Sequence, residues 1–320
     1  MYHPLAGTTK ISMVPKPRVS LSELEHQLGV DRVTLRSLAG NWREEYKPFK
    51  QEKPPKPFQR VTKKAKVREI DNPSKELKEV QTKILKQLLH PVSLPYFLFG
   101  AVKKRTTNDH TREHLGSKCV VKMDVKSYYP NVTSHHVYQV WNGVLDFSPS
   151  IAGLLTQLTT YEWHLPQGAP TSPALANIFL SSIYGPVLVA CGELNVKPTA
   201  WVDDLIFSGE NARAVMNFVR QILADNGFKM SAKKRIILSG RDAKVITGVR
   251  LGAGRLRAPK EKLADLRAAI HKLELSVMER PERGKYIESL RGRLRHIDSI
   301  CPQDALPLQR QLERALKVSK

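Results

Sequence analysis

The chain is poor in cysteine, poor in acid and short of long apolar stretches. Its three cysteines, Cys119, Cys191 and Cys301, stand far apart with no C-x-x-C pair. That spacing excludes a disulfide framework and a thiolate zinc site. No run of about 18 apolar residues occurs, which excludes a single-helix membrane span. The first residues lack the apolar core of a secretory leader. The expectation is therefore a cytoplasmic protein without a membrane partner. Acid is scarce beside base: 30 Asp and Glu against 52 Lys and Arg, a net charge of +22. An excess of that size points to a polyanionic partner, nucleic acid first. A hydrophobic fraction of 41% supports a sizeable core, and 320 residues suit two or three packed subdomains.

Residues 1–18 mix Pro and Lys without periodicity and read as a loose arm. Residues 20–46 read as two short helices. Ser20 or Ser22 caps the first, with Leu21, Leu24 and Leu28 on one face; Val33, Leu35 and Leu38 belong to the second. The pattern is similar to a helix-turn-helix, but we read it as a small packing element. Segment 47–66, rich in Lys and Pro, reads as an exposed basic stretch leading into a strand. That strand ends at Asn72-Pro73, and Ser74 caps a helix that turns Leu77, Val80, Ile84, Leu85 and Leu88 inward. An apolar strand at 118–125 ends in Asp124.

The stretch LPQGAPTSPALANIFLSSIYG, 165–185, reads as a tight Gly/Pro loop and then a helix. Ser172 suits the N-cap and Pro173 the first helical position, with Leu175, Ile178, Phe179 and Ser182 on one face. A further amphipathic helix covers about 210–226, with Val215, Phe218, Val219, Ile222 and Leu223 apolar and Gly227 as its stop. Strands follow near 235–238 and 244–251. Two C-terminal helices put Leu263, Leu266, Ile270 and Leu273 on one face and Ile287, Leu290, Leu294 and Ile297 on another. The second carries Lys285, Arg291, Arg293, Arg295 and His296, which read equally as a solvated face or as one turned to nucleic acid.

AWVDDLIFSG, 200–209, sets Asp203 and Asp204 between two apolar runs. Asp is depleted in strands and costly to bury unpaired. The spacing predicts a tight hairpin with the two acids as its turn, since Asp tolerates positive φ. Packed beside the 118–124 strand, it would bring three carboxylates to one sheet end. Their mutual repulsion would be resolved by divalent cations, and hard oxygen ligands suit Mg²⁺. A plain Asp-Asp turn is the competing reading of the dipeptide alone.

The order of motifs in a basic chain goes further. VKMDVKSYYPNV, LPQGAPTSPALAN, WVDDLIFSG, GFKMSAKKRIILSG and VREIDNPSKELK together resemble the palm and fingers motifs of the reverse transcriptase family of right-hand polymerases, specifically the bacterial retron type. The likeness covers about 60–297. It implies an α+β right-hand fold with fingers, a palm with an antiparallel sheet and a helical thumb. The domains would be an N-terminal arm and helical extension, 1–58; fingers, 59–123 and about 140–164; palm, 124–255; and thumb, 256–320.

The resemblance also assigns roles. Asp124 and Asp203 bind two Mg²⁺ ions, or Mn²⁺ in their place, with the Val125 carbonyl as a further ligand and Asp204 in support. Tyr129 falls at the steric gate against a ribose 2′-hydroxyl. Gln167 and Gly168 contact the template–nucleotide pair. Lys233 is an acid or charge donor to the leaving pyrophosphate. Arg68, helped by Lys66, grips the triphosphate of a deoxynucleotide. Lys285, Arg291, Arg293, Arg295 and His296 of the thumb contact RNA or DNA. The partners implied are a structured non-coding RNA as template and primer, its DNA product and an effector protein. Retron enzymes prime from an RNA 2′-hydroxyl and leave branched RNA–DNA, in antiphage defence. Ile246-Thr247-Gly248 is close to the retron Val-Thr-Gly element, whereas HTREH, 110–114, keeps only the final His of Asn-Ala-x-x-His. Ser127 and Trp201 also depart from the commoner residues. The alternatives are another defence reverse transcriptase, with a different RNA or template-independent synthesis, and a non-catalytic nucleic-acid scaffold.

Overall fold

Ser20 opens the first helix as predicted. Its hydroxyl accepts from the Glu23 N–H while the Glu23 carboxylate accepts from the Ser20 N–H, a reciprocal capping box. The computed structural model describes residues 19–52, 67–231, 236–240, 242–275 and 279–318. Lys66 and Lys233 lie outside them, as do residues 1–18.

Helix α1 (Leu21–Leu28) and α2 (Arg32–Gly40) bury Leu24, Leu28, Leu35 and Leu38 in the main core. That burial fits the packing role read from the sequence. Val33, counted with them in the second helix, is 73% exposed, because it lies off the stripe formed by Leu35 and Leu38. Segment 46–52 departs from its reading as a basic stretch before a strand. It is itself strand β1 (Tyr46–Glu52), paired antiparallel with β2 (Val67–Pro73) and exposed except at Tyr46. Helix α3 (Lys75–Ile84) is capped by Ser74 and buries Leu77, Val80 and Ile84; it runs on through a wider π turn, 85–89, that buries Leu88.

Strand β3 (Cys119–Asp124) is central. It pairs antiparallel with β5 (Asp204–Ser208), which pairs in turn with β4 (Lys197–Trp201). Strand β6 (Ile236–Ser239) completes the order β4-β5-β3-β6. The short helix α4 (Thr107–Arg112) precedes β3, and after β3 come the short helices α5 (Tyr128–Asn131) and α6 (Ser134–Gln139), then α7 (Pro149–Thr159), α8 (Ser172–Ile183) and α9 (Gly185–Glu193). Helix α8 begins at Ser172 itself, so Thr171 holds the cap position. The Ser172 hydroxyl instead donates to the Pro166 carbonyl at 2.8 Å and ties the Gly/Pro loop to the helix. Ser182, placed on the apolar face, is exposed.

Helix α10 (Val215–Asp225) starts later than its pattern suggested, and its Phe218 is 40% exposed while Val215, Val219 and Leu223 are buried. Among the described residues no single helix is long and apolar enough to cross a membrane. The bent pair α8 and α9 has the composition, but Leu175, Ile178, Phe179, Val187 and Cys191 are packed into the core.

The chain divides into two compact units. The elements above up to α10, save for 106–117, form the first. The second contains 106–117 and residues from 238 onward. Its sheet is the meander β7 (Val245–Ile246), β8 (Val249–Leu251) and β9 (Leu256–Arg257). The single strand predicted at 244–251 is thus split by a turn at Thr247 (φ +45°) and Gly248 (φ +79°). Helices α11 (Lys260–Leu275), α12 (Arg280–Ile300) and α13 (Pro302–Val318) share a core of Leu266, Ile270, Leu273, Leu290, Leu294, Ile297, Leu308 and Leu312. Each such fully buried side chain contributes about 1.5–3 kcal/mol over leaving it in water.

Candidate active site

The β4–β5 connection is one residue out of phase with the sequence reading. Trp201 pairs with Asp204, so the two-residue turn is Val202-Asp203, and Asp204 is the first residue of β5. Positive φ falls on Val202 (+57°) rather than on an acid. A β-branched residue there costs about 1–3 kcal/mol and persists only where the surroundings enforce it. Here they do. The Gly100 backbone lies against Val202 and Trp201, Gly100 and Phe99 N–H donate to the Ala200 carbonyl, and Asn177 Nδ2 donates to the Gly100 carbonyl at 2.7 Å.

The same order of bonds fixes the acids. Val125 N–H donates to the Asp203 carbonyl at 3.0 Å, and Ser231 N–H donates to the Asp124 carbonyl at 2.8 Å. Asp124 is buried and faces Asp204 across the β3–β5 ladder. Asp124 and Asp203 line one cleft of about 260 Å³ with Arg68, Val125, Lys126, Ser127, Tyr128, Tyr129, Gln167 and Ser231. Asp204 and Gly168 are not part of its lining. Among the described residues no three acidic, His or Cys side chains form a ready cation cage. Two carboxylates still suit Mg²⁺, which keeps several waters and takes substrate phosphate oxygens in place of a full protein shell.

Tyr128 and Tyr129 begin a helical turn after Ser127, whose φ is +50°. Their surroundings divide their roles. Tyr128 is buried and donates to the Ala176 carbonyl at 2.8 Å. The Tyr129 hydroxyl is pushed up to about 12, by burial first and then by the negative charge of Asp203. It therefore stays protonated as a bulky, neutral wall of the cleft.

Asp71 and His164 went unnoticed in the sequence. Asp71 N–H donates to the Gln167 carbonyl at 2.8 Å, and Gln167 N–H donates back to Asp71 Oδ2 at 3.0 Å. This clamps β2, which carries Arg68, to the Pro-Gln-Gly loop. Gly168 explains itself in the same place: at φ +134°, a Cβ would lie 3.0 Å from the Asp71 carbonyl. His164 Nε2 sits 3.5 Å from Asp71 Oδ2. Burial opposes ionisation of Asp71, but the bonds from His164 and Gln167 outweigh it and hold the carboxyl below its usual range. His164 is raised, chiefly by its bond to Asp71 and against burial, with Glu162 adding to the rise.

The ion pair therefore exists at full strength below the ordinary histidine value and is lost as pH rises through the raised one. The Asp71 share is lost only as pH falls through its lowered value. The difference in melting temperature between wild type and His164→Gln should narrow as pH goes from about 6 to about 8.5. Melting curves at fixed ionic strength check this, and a difference that stays constant contradicts it.

The basic face of α12 is partly spent within its own unit. Arg293 pairs with Asp265, Arg291 with Glu288 at 2.8 Å, and His296 Nε2 lies 3.1 Å from Lys262 Nζ. Lys285 and Arg295 are exposed and form no ion pair among the described residues. The two sequence elements discussed for the retron type meet in this unit. Thr111 Oγ1 donates to the Ile246 carbonyl at 3.0 Å, and His110 and His114 are fully buried, with His110 Nδ1 3.3 Å from Thr247 Oγ1.

A family model for reverse transcriptase (RNA-dependent DNA polymerase) matches residues 53–262, more than half of the chain. The chain belongs to the reverse transcriptase family. It carries that family's right-hand polymerase fold, an α+β arrangement, and its activity is RNA-directed DNA polymerisation, a nucleotidyl transfer. The similarity is to the retron type. The retron Ec86 reverse transcriptase of Escherichia coli is 28% identical over 237 residues, covering 73% of this chain and 72% of that protein. The retron Se72 reverse transcriptase of Salmonella heidelberg (strain 579083-10) is 25% identical over 265 residues, covering 80% and 68%. Among solved structures, apo telomerase from Candida tropicalis aligns with a TM-score of 0.48 and 11% identity, over 89% of this chain and 63% of that one. That likeness is too distant to carry an argument.

Proposed function

We propose that this reverse transcriptase copies part of a structured non-coding RNA into single-stranded DNA, priming from a 2′-hydroxyl of that RNA and leaving a branched RNA–DNA product in antiphage defence. The observation that carries the catalytic part is the convergence of Asp124, Asp203, Arg68, Tyr129 and Gln167 on one cleft. Asp124 and Asp203 hold two Mg²⁺ ions, or Mn²⁺, with the Val125 carbonyl, and Asp204 supports the turn. When bound, the pair stabilises charge on the attacking and leaving oxygens of the phosphoryl transfer. Arg68 grips the triphosphate, assisted by Lys66. Gln167 and Gly168 set the template–nucleotide pair. Lys233 supplies charge or a proton to the departing pyrophosphate. Lys285 and Arg295, with the remaining basic groups of α12, take the RNA backbone, and an effector protein completes the system. The retron relatives support this choice of RNA and product.

Tyr129 gives a sharp test of the cleft. Tyr129→Val opens the wall that excludes a ribose, so the preference for deoxynucleotides over ribonucleotides should fall on the order of 100-fold, about 2.7 kcal/mol of discrimination. Single-nucleotide incorporation on an RNA template, with each sugar in turn, measures it. An unchanged preference contradicts the gate. The priming proposal is tested on the DNA bound to the purified protein: a debranching enzyme should shorten it by its RNA attachment. DNA that the enzyme leaves unchanged would keep the polymerase and move it to another RNA and another priming chemistry.

A further inference from the structure

The turn at 161–164 breaks a local rule. Tyr161 and His164 exchange two backbone hydrogen bonds of 2.9 Å as an antiparallel bridge. The residues between them, Glu162 (φ +45°) and Trp163 (φ +66°), are both left-handed. A two-residue turn of this kind normally takes Asn-Gly or Gly-Gly. Nor does the strain serve burial, since Trp163 is 69% exposed. A conformation held against local preference without a packing gain marks a functional position.

The surroundings say which function. The Trp163 ring lies edge-on to Trp42 at 6.2 Å, and Trp42 meets Tyr161 at 6.0 Å. Tyr161 stacks on buried Tyr46 at 4.5 Å, which anchors the group to β1. The Arg43 guanidinium sits 4.8 Å over the Trp42 ring. The turn is pinned from behind, with Ser134 N–H donating to the Trp163 carbonyl at 2.8 Å and Leu165 N–H to the Val132 carbonyl at 2.9 Å. The same short loop continues to Gln167 in the cleft, and His164 joins it to Asp71. Trp163 is the exposed ring of the group, with Glu162 next to it in the chain and Arg43 over the Trp42 ring. Such a surface suits the faces of unpaired bases, whose stacking on aromatic rings is tolerant of sequence.

We propose that Trp163, with Trp42 and Arg43, is a stacking platform for unpaired bases of the RNA template strand about to enter the cleft. The assignment rests on the reading of Gln167 as a template contact. An RNA strand is the fitting occupant because the platform sits on the template loop of an enzyme that must hold single-stranded RNA ahead of synthesis.

The test uses the full chain and three RNA–DNA duplexes: one blunt, one with a 5′ RNA overhang of about four nucleotides, and one with the same overhang made abasic. Wild type should bind the base-bearing overhang about 10-fold more tightly than either of the others. Trp163→Ala should lose that preference while binding the blunt duplex as before, and Trp163→Phe should retain most of it. Because Trp163 is exposed, its removal leaves no cavity. The Asp203→Asn protein should keep the preference, which separates the platform from the chemistry. Equal affinity of wild type for all three duplexes overturns the platform. So does a Trp163→Ala protein that binds the overhang normally but changes its mass in light scattering, which would assign the patch to contact between copies. A wild type that extends no primer on any RNA contradicts the cleft reading instead.

Discussion

Asp203→Asn should lower single-nucleotide incorporation on an RNA template at least 10³-fold, about 4 kcal/mol of transition-state stabilisation, while leaving the melting temperature within about 2 °C of wild type. The substitution keeps the shape of the side chain and removes its charge. The contact that fixes this turn to β3 is made by backbone atoms, Val125 N–H to the Asp203 carbonyl, so the hairpin survives. What is lost is one of the two carboxylates that share the cleft. Asp204→Asn should cost much less, on the order of 10-fold, because Asp204 begins β5 and does not line the cleft. Rapid-quench incorporation with saturating template separates the two. Equal losses would mean that the pair acts as one ligand set and that the one-residue offset of the turn has no chemical meaning.

Gly100→Ala should damage both stability and activity, although residue 100 lies far from the acids in sequence. An added Cβ would sit 2.6 Å from the Val202 backbone N, 2.8 Å from Val202 Cγ2 and 2.9 Å from the Trp201 carbonyl carbon. Two of those atoms are backbone and cannot rotate away. The β4–β5 turn must shift, and it is already strained at Val202. Overpacking of this kind costs about 1–3 kcal/mol, which corresponds to a melting temperature lower by roughly 5 °C. The turn carries Asp203, and misplacing a reacting group by about 1 Å can cost 10²-fold in rate. Both losses are expected together. Gly153→Ala in α7 is the control, because nothing lies within 4 Å of the added carbon there. It should leave the rate unchanged and, as a helix-interior glycine replaced by alanine, raise the melting temperature slightly if at all; a Gly100→Ala protein that behaves like it would refute the packing account of the turn.

The fold and the central acids were legible because they rest on local signals. Short apolar runs mark β3, β4 and β5, Ser20 and Ser74 mark helix starts, and Asp124, ending one apolar strand, and Asp203, in the turn between two others, stand out as acids in apolar surroundings. What was hidden depends on partners distant in sequence. Nothing near Val202 says that it, and not an acid, takes the left-handed position; Gly100 and Asn177 decide that from elsewhere. Asp71 looked like the end of a strand until the Gln167 loop met it. Phe218 was placed on the apolar face by helical periodicity alone, and among the described residues it stays 40% exposed. The five basic residues singled out on α12 looked alike in sequence, yet Asp265 and Glu288 engage two of them.

With the cleft of Asp124 and Asp203 as its polymerase site, the protein should make DNA from an RNA that it holds itself. The most direct measurement is to purify wild type and Asp203→Asn from cells that supply the native RNA, and to sequence all bound nucleic acid before and after RNase and debranching. Both proteins should carry one structured RNA, and wild type alone should carry a discrete single-stranded DNA complementary to part of it. The same DNA on both proteins, or RNA alone on both, would contradict this expectation.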